Sequence, residues 1–125
     1  MENSIKEYEK VSKLVGTYIG WFERAIESTM AEVNKSQLGF WKKRSAKATL
    51  RKLSKMCSKN KSEFGALIDS LGALLPVMNE EDFAEQCLRV QRVIVPLYAK
   101  VQFSFKEMQK ITKLVNFTRG HNARN

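Results

Sequence analysis

From Phe83 to Val115, apolar side chains recur in steps of three, four and once seven: Phe83, Cys87, Val90, Ile94, Leu97, Val101, Met108, Ile111 and Val115. That spacing marks one face of a long α-helix, because strand faces alternate every second residue. The phase survives across Pro96, so one kinked helix is expected here rather than two unrelated ones. A helix with a stripe this long must bury it against other helices.

The same spacing appears upstream. Ile5, Tyr8, Val11, Val15, Tyr18, Phe22, Ala25, Thr29 and Val33 form a first stripe. Ser4, with Glu7 three residues on, reads as a capping box that opens this helix, expected over about 4–34. Gly16 and Gly20, four apart, suggest a close approach of a neighbouring helix or a slight bend. A second helix is expected over 37–59, with Leu38, Ala46, Leu50, Leu53, Met56 and Cys57 inward. Asn60 followed by Glu63 repeats the cap pattern and predicts a third helix over 61–75, ended by Pro76. Asn79 caps a fourth over 80–118, where Glu80, Glu81 and Asp82 complement the helix dipole. Gly120 reads as its stop, with 120–125 as a flexible polar tail.

No stretch alternates as a strand does. The 125 residues, 43% apolar, suit one core and are too apolar for a disordered chain. The expected fold is therefore all-α: a single domain over 1–119, built as an antiparallel up-and-down four-helix bundle. Cys57 and Cys87 fall on apolar stripes and read as buried free thiols. Glu2, Lys6, Glu7, Glu9 and Lys10 stand where a secretory signal needs an apolar core, and no apolar run is long enough to span a membrane. The expected location is intracellular and cytoplasmic, compatible with association with a nucleoid or nucleus.

Little in the chain suggests catalysis. The single histidine, His121, lies in the polar tail, and zinc-type Cys/His spacings and Glu-x-x-His are absent. The acids Glu80, Glu81, Asp82 and Glu85 are explained by the helix dipole. There is no glycine-rich phosphate loop, nucleotide fingerprint or nucleophile elbow. A protein without enzymatic activity, metal or cofactor is expected.

The net charge of +9 is the unusual quantity, and it is unevenly placed. Residues 33–62 carry ten basic side chains and no acid, whereas 1–32 and 63–95 are mildly acidic and 96–125 is basic again. Cations without acids at i±4 repel one another, so an anionic partner most simply offsets their cost. The candidate site comprises Lys43, Arg44, Lys47, Arg51, Lys52, Lys55 and Lys59 on the outer face of the second helix. Lys43, Lys47, Arg51 and Lys55, four apart, are expected to track a phosphate backbone without reading bases. Lys106, Lys110 and Lys113 offer a second basic surface, expected to lie diagonally across a four-helix bundle. Phe40 and Trp41 beside Lys42, Lys43 and Arg44 read either as rings closing the bundle end or as a stacking platform.

The expected partner is nucleic acid, with this protein as an accessory subunit of a nucleoprotein complex. The alternative is an interaction module for an acidic protein, and the alternating charge blocks are also compatible with head-to-tail homo-oligomers. Membrane-surface attachment ranks last, because the second helix needs its apolar face for the core.

Overall fold

The computed structural model describes the backbone of residues 2–124 and side chains up to Gly120. Its elements are α1 (Glu2–Lys35), α2 (Phe40–Leu74) and α3 (Glu80–Arg124), with no strand among the described residues. The chain is thus all-helical, but the helices number three. The expected helices over 37–59 and 61–75 are one element. Asn60 does not cap a new helix; it lies inside α2 and is 2% exposed. Nothing between Lys59 and Glu63 stops a helix: the stretch holds no proline or glycine, and asparagine costs a helix interior well under about 1 kcal/mol. Ser4 is likewise not a cap but a buried residue within α1.

Other boundaries follow their local chemistry. Gly39 precedes α2, and its carbonyl accepts the Lys43 amide at 2.9 Å. At the other end of α2, Leu74 accepts from the amides of Val77 and Met78, and Pro76 lies just beyond the last turn. Asn79 caps α3 as expected: its Oδ1 accepts the Asp82 amide at 2.8 Å, and its Nδ2 donates to Asp82 Oδ2 at 3.0 Å. α3 continues through Pro96, and also through Gly120, where no left-handed residue ends it. His121 and the rest of 121–125 lie outside the residues whose side chains are described.

Contacts fix the arrangement. Tyr8 meets Gly72 and Glu23 meets Lys61, so α1 and α2 are antiparallel. Tyr18 packs on Tyr98 at 5.2 Å, and Thr112 donates to Glu32 at 3.3 Å, so α1 and α3 run parallel in constant register. α2 and α3 are antiparallel, with Lys55 and Lys59 lining one groove with Lys100 and Phe103. The packing is up-down-up, and α1 makes the broader contact with both neighbours while α2 and α3 touch least. At about 1.5 Å per residue α3 is roughly 68 Å long. The surface of 8537 Å² exceeds the roughly 6,800 Å² expected for a compact monomer of this mass, as a rod should.

The core lies along three seams. In α3 the buried residues step by four and three without a fault from Phe83 to Val115, the polar Ser104 filling the place between Val101 and Met108. Ser104 satisfies itself by donating to the Lys100 carbonyl at 2.9 Å. In α2 the seam reads Ala46, Leu50, Leu53, Cys57, Asn60, Phe64, Ile68 and Leu71. Asn60 is its polar member, and its buried Nδ2 has no protein acceptor. Leaving such a donor unmet costs about 1–3 kcal/mol.

The glycines of α1 do not bring helices together. A Cβ on Gly16 would meet nothing, and one on Gly20 would meet only the Arg24 guanidinium of its own helix. The close approach is at Gly72, where a Cβ would lie 2.9 Å from the Tyr8 hydroxyl and 3.1 Å from its ring. Both thiols are buried and free. Cys57 lines a pocket with Glu23 and Ile26, whereas Cys87 lies near Glu7. Those levels of α1 are roughly 24 Å apart, far beyond disulfide reach. Burial, with Glu23 adding to it and Lys61 opposing it, pushes the Cys57 thiol up to about 11.

Two outcomes follow. Gly16→Ala should stabilise the protein by about 0.5–1 kcal/mol, because only helix propensity changes. Gly72→Ala should gain less than Gly16→Ala or destabilise, because the new methyl must displace the Tyr8 ring; paired urea titrations measure the difference. The second concerns alkaline pH. The folded state holds Cys57 neutral, so its contribution is complete below the ordinary thiol value near 9 and is lost as pH rises towards 11. Stability measured by denaturant between pH 8 and 11 should therefore fall less steeply in Cys57→Ala than in the parent, and equal slopes would refute the assignment.

Candidate nucleic-acid interface

α2 presents its cations because its seam residues take the opposite side. Seam positions at steps of three and four leave an outer arc, and the sequence fills that arc with Lys and Arg. The structure divides the seven expected site residues into two groups. Lys43, Arg44, Lys47 and Arg51 line a shallow groove of about 220 Å³, together with Phe40. Lys55 and Lys59 instead line the groove shared with α3. Lys52 is exposed and lines neither groove. Lys43, Lys47, Arg51 and Lys55 therefore do not form one straight track. Each four-residue step turns about 40° past a full turn, so Lys55 is rotated by about 120° from Lys43.

The cations also differ in what they already touch. The Lys43 ammonium donates to the carbonyls of Asn34 at 3.1 Å and Ser36 at 3.4 Å. It thereby satisfies the C-terminal end of α1, where free carbonyls and the helix dipole favour a cation. Its role is at least partly structural. Lys59 lies 3.9 Å from Glu63, both side chains well exposed, a pair worth little in water. Lys61, outside the expected site, pairs with Glu23 of α1 at 3.4 Å. Among the described residues, no ion pair involves Lys47, Arg51, Lys52 or Lys55.

The aromatic pair at the start of α2 does not close the bundle end. Phe40 is 69% exposed and Trp41 73% exposed. Their rings meet edge to face at 5.1 Å, and the Arg44 guanidinium lies 6.0 Å from the Trp41 ring centre. The core at this end is filled from elsewhere, by Val33, Leu38 and Ala46. Two large rings beside Lys42, Lys43 and Arg44 thus face solvent.

The second basic surface changes place with the helix count. In a three-helix bundle α2 and α3 are neighbours, not diagonal, and their antiparallel course brings the basic half of α3 alongside the basic half of α2. Lys106 and Lys113 are exposed and form no ion pair among the described residues, whereas Lys110 pairs with Glu107 at 3.1 Å. Lys100 and Phe103 were absent from the sequence-based site. They lie off the α3 stripe and gain meaning only once α3 is known to face Lys55 and Lys59. Among the described residues no group of three His, Cys, Asp or Glu side chains gathers to hold a metal ion, and no helix is long and apolar enough to cross a membrane.

Compared with known proteins, the chain matches no protein family, no curated protein and no solved structure.

Proposed function

We propose that this protein binds the phosphate backbone of nucleic acid without reading sequence, as a non-enzymatic accessory subunit of a nucleoprotein complex. One observation carries the reading: the groove lined by Arg44, Lys47, Arg51 and Phe40, with Trp41 exposed at its end and no acid among its lining residues. Cations spaced by one helical turn suit phosphates, and exposed rings beside them suit unstacked bases. Backbone contacts supply affinity in the form of counterion release, and rings supply stacking that is tolerant of sequence. Single strands are thus favoured over duplex. Lys106 and Lys113, at the same end of the rod, extend the positive field that steers an anionic polymer to this face.

Fluorescence anisotropy with a labelled single-stranded oligonucleotide over a salt series tests the proposal. Binding should be readily measurable at about 50 mM salt and fall steeply towards 200 mM. The triple substitution Arg44→Glu, Lys47→Glu and Arg51→Glu should flatten the log–log salt slope by about 2–3 without lowering the thermal unfolding midpoint. Lys43 is left intact in that variant because it caps α1. Trp41→Ala should weaken single-strand binding by about 1–3 kcal/mol and affect duplex binding less. Absence of binding at low salt would sink the proposal.

A further inference from the structure

The seam between α2 and α3 is the most open of the three, and a groove of about 630 Å³ lies along it. Its walls are apolar: Met56 from α2 and Phe103 from α3, 36% and 57% exposed. Asn60 lines it from the seam, almost wholly buried, with an Nδ2 that finds no protein acceptor. Lys55 and Lys59 border it on one side and Lys100 on the other, against the one acid Glu63. The groove is therefore an apolar trough between two positive edges, with the unpartnered Asn60 amide buried in the seam beneath it.

We infer that this groove receives an amphipathic helix from a partner protein, with an apolar ridge and acidic residues on both flanks. The dimensions argue for a helix. Lys55 to Glu63 spans about 12 Å, so two turns of an occupant place apolar residues at i, i+3 or i+4 and i+7 against Met56 and Phe103. The charge argues for an acidic one, because Lys55, Lys59 and Lys100 then face carboxylates from both sides. Beneath the middle of the ridge the Asn60 Nδ2 is buried and without a partner, and a central glutamine or serine supplies it with an oxygen where the groove opens on binding. The occupant completes a fourth helical position beside α2 and α3. This surface is separate from the Arg44–Arg51 face, and the inference stands whether or not nucleic acid binds there.

The test uses the full chain and a labelled amphipathic peptide of about 20 residues. It carries Leu along the ridge, one central Gln and Glu on both flanks; the control carries Lys on the flanks. The acidic peptide should bind, and the control should bind at least roughly tenfold more weakly. Phe103→Glu and the pair Lys59→Glu, Lys100→Glu should each weaken binding by roughly tenfold or more, with helical circular dichroism retained because these side chains are exposed. Lys47→Glu with Arg51→Glu should leave the affinity within about twofold. In nitrogen–proton spectra the Asn60 side-chain amide should shift on saturation. Equal binding of both peptides, an unmoved Asn60 amide, no binding at millimolar peptide, or loss on Lys47→Glu with Arg51→Glu but not on Phe103→Glu would each overturn the inference.

Discussion

The strict seven-residue repeat of α3 is the constraint on which the other elements depend. Ten successive seam positions from Phe83 to Val115 keep one face inward, which only a long helix with neighbours on that face can do. A 3.5-residue repeat on a 3.6-residue helix implies a left-handed supercoil, and α1 and α2 must follow it. They do so with one interruption each. In α1 the seam steps by four twice from Val11 through Val15 to Ile19, and in α2 it does so from Asn60 through Phe64 to Ile68. The contacts Tyr8 to Gly72 and Glu23 to Lys61 enclose the α1 interruption and all of the α2 one but Asn60, so the two overlap along the rod. Pro96 of α3 falls at the same level, near the Tyr18–Tyr98 contact. The two breaks in heptad phase and the proline share one stretch of the rod, where extra four-residue steps locally relax the supercoil and the proline removes a backbone donor.

The seams were legible because burial imposes period on sequence, and apolar residues report it directly. The expected stripe of α3 is buried at every position, and Phe22 is buried while Trp21 stays at the rim, as their places on α1 predict. The error came from polar residues inside a seam. Asn60 with Glu63 reproduces the chemistry of a cap, yet a cap also needs a neighbour that leaves the helical conformation. Lys59, Lys61 and Ser62 supply no such break. Ser4 with Glu7 misleads for the same reason. Asn79 differs because Pro76 has already ended the preceding helix, so the turn exists before the cap acts.

The site was legible as charge and illegible as geometry. That α2 is basic follows from counting. Which cations share a groove depends on the neighbours of α2, and the loss of one helix from the expected bundle changed those neighbours. It set Lys55, expected on a track with Lys43, and Lys59 of the same candidate site in a groove with Lys100 and Phe103. It also set the basic half of α3 beside the basic half of α2. Residues 33–62 and the part of α3 beyond Pro96 now share one half of the rod, and the acids at the N-terminal ends of α1 and α3 lie in the other. Alternating charge blocks along the chain become a single end-to-end polarity in space.

The start of α2 shows what that polarity costs locally. A helix N-terminus favours acids, yet the first turn of α2 has none, and Lys42, Lys43 and Arg44 stand there instead. Each such cation opposes the dipole by about 0.3–1 kcal/mol, and the cations also repel one another. Lys43 recovers part of this by capping the carbonyls of Asn34 and Ser36. Arg44 recovers a smaller part over the Trp41 ring. Lys47 and Arg51, with no ion pair, recover none that way. Solubility needs no such arrangement, since interspersed acids would give a soluble surface at lower cost. Bound phosphate at this face would answer the dipole and the cation repulsion together, which is why the first turns of α2, rather than total charge, are the strongest physical argument for an anionic polymer.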